Sequence, residues 1–145
     1  MGGRSPHERQ VPELNTPRSI LIAEDEFLIA LDLEDTLVRA GYTDTSIYSS
    51  CSQAIAALSI KIPSVALLDI HLHDGSCIEL ATELKARGIP FIVCSAWPKS
   101  DVPEIFLQAP WVSKPYNETE LLTAVVQAME ASVRAPRHRD LEHEH

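Results

Sequence analysis

Apolar residues along this chain fall into two alternating kinds of segment, short continuous runs and longer stretches with helical spacing. The runs are Ser19-Ile20-Leu21-Ile22-Ala23, the weaker Thr45-Ser46-Ile47-Tyr48, Val65-Ala66-Leu67-Leu68-Asp69-Ile70, Pro90-Phe91-Ile92-Val93-Cys94 and Trp111-Val112-Ser113. Each run predicts a strand, and Val65 to Ile70, apolar around a single aspartate and bounded by turn residues, predicts one buried on both faces. Between them, Phe27 to Ala40 reads as a helix with Leu28, Leu31, Leu37 and Val38 on or near one face, and Gly41 ends it. Ser49 or Ser50 caps a second helix holding Ala54, Ile55 and Leu58, which Pro63 keeps from extending. A third runs from Cys77 to Arg87, with Ile78, Leu80, Ala81 and Leu84 apolar and Gly88 closing it. Pro98, Pro103 and Pro110 make the next stretch irregular, with room for about two helical turns. Asn117 with Glu120 forms a capping-box-like start to the last helix, through Leu121, Leu122, Val125, Val126 and Met129.

Five strands separated by helices predict an α/β domain in three layers, a doubly wound parallel sheet with helices on both faces. Residues 1–16 and 134–145 carry Gly, Pro and charge without periodicity and read as disordered tails around one domain at 17–133.

Composition changes this picture little. At 145 residues there is room for one domain with a sizeable core. A net charge of -9 argues against nucleic-acid binding, which needs clustered Lys and Arg. No apolar run approaches membrane-spanning length, and the start, Met1-Gly2-Gly3-Arg4-Ser5-Pro6, lacks the apolar core of a signal peptide. These features predict a cytoplasmic protein. Cys51, Cys77 and Cys94 are odd in number and not in metal-ligand spacing, so they read as reduced core or near-core thiols.

Chemistry gathers at the strand ends. The first strand runs into Glu24 and Asp25, the third into Asp69, the fourth into Ser95 and the fifth into Lys114. In a parallel sheet these ends face the same way, so the five groups share one crevice at the carboxyl edge. Three carboxylates crowded there repel, unless one is protonated or a cation neutralises them. Mg²⁺ fits, because it binds through a few carboxylates and keeps positions open for water and phosphate oxygens. An aspartate nucleophile beside a metal, a lysine and a hydroxyl is the equipment for an acyl-phosphate.

On the segments Ile22-Ala23-Glu24-Asp25-Glu26, Leu68-Asp69-Ile70-His71-Leu72 with Gly75, Cys94-Ser95-Ala96 and Ser113-Lys114-Pro115, the chain resembles a bacterial response-regulator receiver domain. The resemblance implies the flavodoxin-like (βα)5 fold and a place in a two-component phosphorelay. Asp69 would be the phosphoacceptor, charged from a phosphohistidine on a histidine kinase or histidine phosphotransfer protein. Asp25, Asp69 and the backbone carbonyl of His71 would hold Mg²⁺, with Glu24 a direct or water-mediated partner. Ser95 would bond the phosphoryl group, and Trp111 takes the place of a switch aromatic that is usually Tyr or Phe. The family also usually has a cis bond at the Lys114–Pro115 step. The Leu-rich first helix, the short fourth helix and the Gly88-Ile89-Pro90-Phe91 entry resemble stand-alone receivers of alphaproteobacteria. Output would then be a contact with a downstream protein or phosphate shuttling, by a monomer or weak dimer that is not a turnover enzyme.

Departures and rival readings remain. His73 replaces a frequent proline, and the short fourth helix lies on the usual output face. A phosphorylation-independent binding module could keep the same fold. A phosphatase resembling the haloacid dehalogenases would need a second aspartate two residues after the nucleophile, where this chain has His71. His71 and His73 read as a polar loop rather than a zinc pair, with no further imidazole or thiolate nearby in sequence. Trp97, two residues after Ser95, is bulky enough to restrict attacking water and predicts a slowly hydrolysed phosphoaspartate. Trp111 as plain core packing competes with Trp111 as a switch.

Overall fold

The structure is a computed structural model that describes residues 18–96 and 102–134. Residues 1–16 and 135–145 of the two predicted tails, and Trp97, lie outside the described residues, whereas Arg134 ends a helix. Strands β1 (Ser19–Ala23), β2 (Asp44–Tyr48), β3 (Val65–Leu68), β4 (Phe91–Ser95) and β5 (Trp111–Ser113) form one parallel sheet in the order β2-β1-β3-β4-β5. Helices α1 (Phe27–Arg39), α2 (Cys51–Leu58), α3 (Ile78–Ala86), α4 (Glu104–Leu107) and α5 (Glu118–Arg134) alternate with them. This is the doubly wound parallel sheet that the alternating pattern predicts, in the flavodoxin-like (βα)5 form that the resemblance implies.

Alternation along the strands divides the core in two. Leu21, Ala23, Ala66, Leu68, Phe91 and Val93 face α2, α3 and α4, which contribute Ala54, Leu58, Leu80, Leu84 and Phe106. Ile20, Ile22, Val65, Leu67, Ile92 and Cys94 face the other way, against Leu33 and Leu37 of α1 and Leu121 and Val125 of α5. Successive residues point to opposite faces, so both halves read as one continuous apolar run in the sequence.

Local signals explain the boundaries. The Ser50 hydroxyl accepts from Gln53 N at 3.2 Å and caps α2, settling the choice between Ser49 and Ser50. The Asn117 side chain accepts from Glu120 N at 2.7 Å at the start of α5. Gly41 and Gly88 follow α1 and α3 with φ of 105° and 73°, the left-handed conformation in which helices commonly end.

Three features differ from the sequence reading. On α1 the buried positions are Ala30, Leu33, Thr36 and Leu37, whereas Leu28 is 78% exposed and Leu31 and Val38 also face solvent. The helix is apolar on two sides, and of the four apolar residues singled out in the sequence only Leu37 lies on the buried side. The stretch after Asp69 also forms a short antiparallel hairpin, His71–Leu72 against Gly75–Ser76, pinned by buried Leu72. The fourth helix is a single turn, shorter than the two turns allowed by its prolines. Among the described residues no helix is long and apolar enough to cross a membrane.

Candidate functional site

Backbone hydrogen bonds continue just past the strand ends and fix the roots of the predicted site residues. Beyond the β1–β3 pairing, Asp69 N donates to Ala23 O at 2.9 Å, while Glu24 N donates to Tyr48 O at 3.0 Å on the β2 side. Lys114 N donates to Ser95 O at 3.0 Å, where β5 leaves β4. The chain reverses its order across the sheet between β1 and β3, so Glu24, Asp25 and Asp69 flank the crevice where such sheets bind ligands.

From these roots the side chains converge. Lys114 Nζ donates to Glu24 Oε1 at 2.7 Å and to Asp69 Oδ2 at 3.1 Å. Glu24 Oε2 accepts from Glu26 N at 3.1 Å, and Asp69 Oδ1 accepts from His71 N at 3.3 Å. Glu24 is 2% exposed; Asp25 and Asp69 are half-buried. Burial pushes the Glu24 carboxyl above its usual range, against the pull of the Lys114 ammonium. Burial would lower Lys114, but the hydrogen bond and charge of Glu24 and the charge of Asp69 outweigh it and raise its pKa. The lysine is therefore a cation at neutral pH.

One oxygen from each of Glu24, Asp25 and Asp69 can lie within 4.8 Å of the other two. Three carboxylates at this spacing, with no sulfur or imidazole, form a donor set suited to a hard cation such as Mg²⁺. The arrangement offers a carboxylate at the rim that can act as a nucleophile, a half-buried lysine for a neighbouring anion, and oxygen ligands for a cation.

Ser95 is buried as the last residue of β4, in register with Ser113, which places it beside the root of Lys114. His71 opens the hairpin with its backbone amide turned to Asp69. Trp111, at the start of β5, is partly buried against the core half that contains Phe106. The Lys114–Pro115 bond is cis. Asp74 was not singled out in the sequence, where Asp before Gly signals only a turn. At the hairpin tip, its carboxylate accepts from Cys51 N at 2.9 Å and Ser52 N at 3.1 Å. It thereby ties the segment after Asp69 to the N-terminus of α2.

The sequence model of the family described as "Response regulator receiver domain" matches residues 20–126. The chain is 28% identical over 117 residues to the transcriptional regulatory protein PdtaR of Mycobacterium tuberculosis, an alignment covering 78% of this chain and 57% of PdtaR. It is 32% identical over 118 residues to the phyllosphere-induced regulator PhyR of Methylorubrum extorquens, covering 76% of this chain and 43% of PhyR. The chain thus spans about half the length of these curated relatives. The solution structure of the PhyR response regulator REC domain from Erythrobacter litoralis superposes with a TM-score of 0.72 at 29% identity, covering 86% of this chain and 98% of that one.

Proposed function

Because the chain belongs to the response regulator receiver domain family, we propose that it takes a phosphoryl group on Asp69 from a phosphohistidine. The donor is a histidine kinase or a histidine phosphotransfer protein. The convergence of Glu24, Asp25 and Asp69 around a shared cation position, with Lys114 Nζ 3.1 Å from Asp69, is the observation that carries this reading.

An Asp69 oxygen attacks phosphorus. The bond from phosphorus to the donor imidazole nitrogen breaks, and its electron pair leaves with the imidazole. Lys114 starts on Asp69 and Glu24 and shifts to an oxygen of the incoming phosphoryl group, so negative charge never faces an empty crevice. Asp25, Asp69 and the His71 backbone carbonyl, with Glu24 direct or through water, would hold Mg²⁺, which would supply neutralisation of charge on the phosphoryl oxygens. The Ser95 hydroxyl bonds the phosphoryl group and biases the domain towards its active state, with Trp111 following if it is a switch rather than packing. Output passes to a downstream protein by contact.

Incubation with acetyl phosphate and Mg²⁺ tests this directly. The expected result is one equivalent of acid-stable, base-labile label, lost in Asp69→Asn and lost when the metal is chelated. Labelling that survives Asp69→Asn sinks the phosphoacceptor assignment. No labelling at all favours a phosphorylation-independent binding module, and steady turnover of a small phosphate ester favours a hydrolase.

A further inference from the structure

Two of the cysteines, 26 residues apart in sequence, meet in space. Cys51 opens α2, Cys77 stands immediately before α3, and their Sγ atoms are 2.7 Å apart. Both are buried thiols. The separation is well inside ordinary sulfur–sulfur contact and exceeds a covalent S–S bond, about 2.05 Å, by less than an ångström.

Both thiols lie against the hairpin that follows Asp69. Cys77 N donates to Ile70 O at 2.8 Å, one residue from Asp69. The Cys51 sulfur faces Gly75 O at 4.0 Å, and Asp74 holds the Cys51 and Ser52 amides. We propose that Cys51 and Cys77 are an oxidation site, closing a reversible intramolecular disulfide that staples α2 to the start of α3 and locks the hairpin between them.

The oxidant is a low-molecular-weight disulfide. The Cys51 thiolate attacks one of its sulfurs and expels one small thiol, leaving a mixed disulfide. The Cys77 thiolate then attacks the Cys51 sulfur and expels the second small thiol. Two protein S–H bonds are lost and one S–S bond is gained, and the two protons leave on the small thiols. Cys51 goes first, being 6% exposed against 0% for Cys77. Burial raises the pKa of both thiols in the closed fold, so reaction waits on local opening of the hairpin. Only two residue pairs join its strands. Cys94 packs on the other face of the sheet, where burial pushes its thiol up to about 12, and serves as an internal control. The redox state of the pair then sets how freely the backbone beside Asp69 moves.

The test treats the full reduced chain with oxidised glutathione, then alkylates, maps peptides and follows amide hydrogen exchange. The expected product is lighter by two hydrogens, with Cys51 and Cys77 peptides cross-linked, Cys94 alkylated, and full reversal by dithiothreitol. Exchange of the 71–76 amides slows about tenfold in the oxidised protein, and Cys77→Ser shows neither the cross-link nor the slowing. Alkylation of both Cys51 and Cys77 after oxidant, or glutathione adducts alone, overturns the disulfide. A cross-link with unchanged exchange overturns the lock.

Discussion

At the crevice, one ammonium is shared by two carboxylates of unequal burial, and Glu24 bears the larger cost of leaving water. Glu24→Gln leaves one oxygen to accept and turns an amide NH₂ toward either Lys114 or the Glu26 N–H, so a buried acceptor is lost with the charge. We expect it to lower the stability of the metal-free protein by about 1 kcal/mol and to weaken Mg²⁺ binding. Urea unfolding and Mg²⁺ titration measure the two effects; an unchanged Mg²⁺ affinity contradicts the account. Asp74 is held by backbone amides instead. The two α2 amides hold its carboxyl below the usual range, so the folded state binds that proton less readily than the unfolded chain. Its stabilisation is full above the ordinary Asp value and is lost as pH falls through the lower folded value. Asp74→Asn should therefore flatten the acid limb of the stability curve, as read by circular dichroism below pH 4. Glu24, Asp25, Asp69, Ser95 and Lys114 were all legible in the sequence, because each ends or follows an apolar run. Asp74 and the Cys51–Cys77 meeting were not, since both depend on where a hairpin folds back.

Elements carry the clearest misreading. On α1, helical spacing groups Leu28, Leu31, Leu37 and Val38, yet only Leu37 of these is buried, beside Ala30, Leu33 and Thr36. Periodicity cannot choose between two apolar sides of one helix; packing against the sheet does. The consequence is measurable. Leu33→Ala, at 1% exposure, should cost about 3 kcal/mol, whereas Leu28→Gln should change unfolding free energy by less than about 0.5 kcal/mol. Equal losses at the two sites would mean that the helix is rotated. The hairpin was illegible for another reason: two-residue strands leave no alternation to detect. Helix ends were legible because Ser50, Gly41 and Gly88 act locally.

For the whole molecule, the net charge of -9 and an acidic crevice couple folding to cations. Sodium screens the general repulsion, while Mg²⁺ should add a specific increment of about 1.4 kcal/mol at ten times its Kd. Thermal melts at matched ionic strength separate the two, and Asp25→Asn should abolish the excess given by Mg²⁺. An undiminished excess in that variant would place the ion elsewhere. The parallel sheet and the shared polarity of the strand ends were legible at this scale, because alternation of strands and helices admits few topologies.

The sheet has two open sides, and they are unlike its middle. β5 offers a ladder of three residues, and β2 begins at Asp44, whose carboxylate is clamped by Lys61 Nζ at 2.6 Å. A strand from another copy arriving at either side meets a short row of amides or a charged pair. Copy-to-copy sheet growth gains little at each contact, so a molecule whose three central strands are buried and whose outer two are short or charged resists amyloid-like stacking.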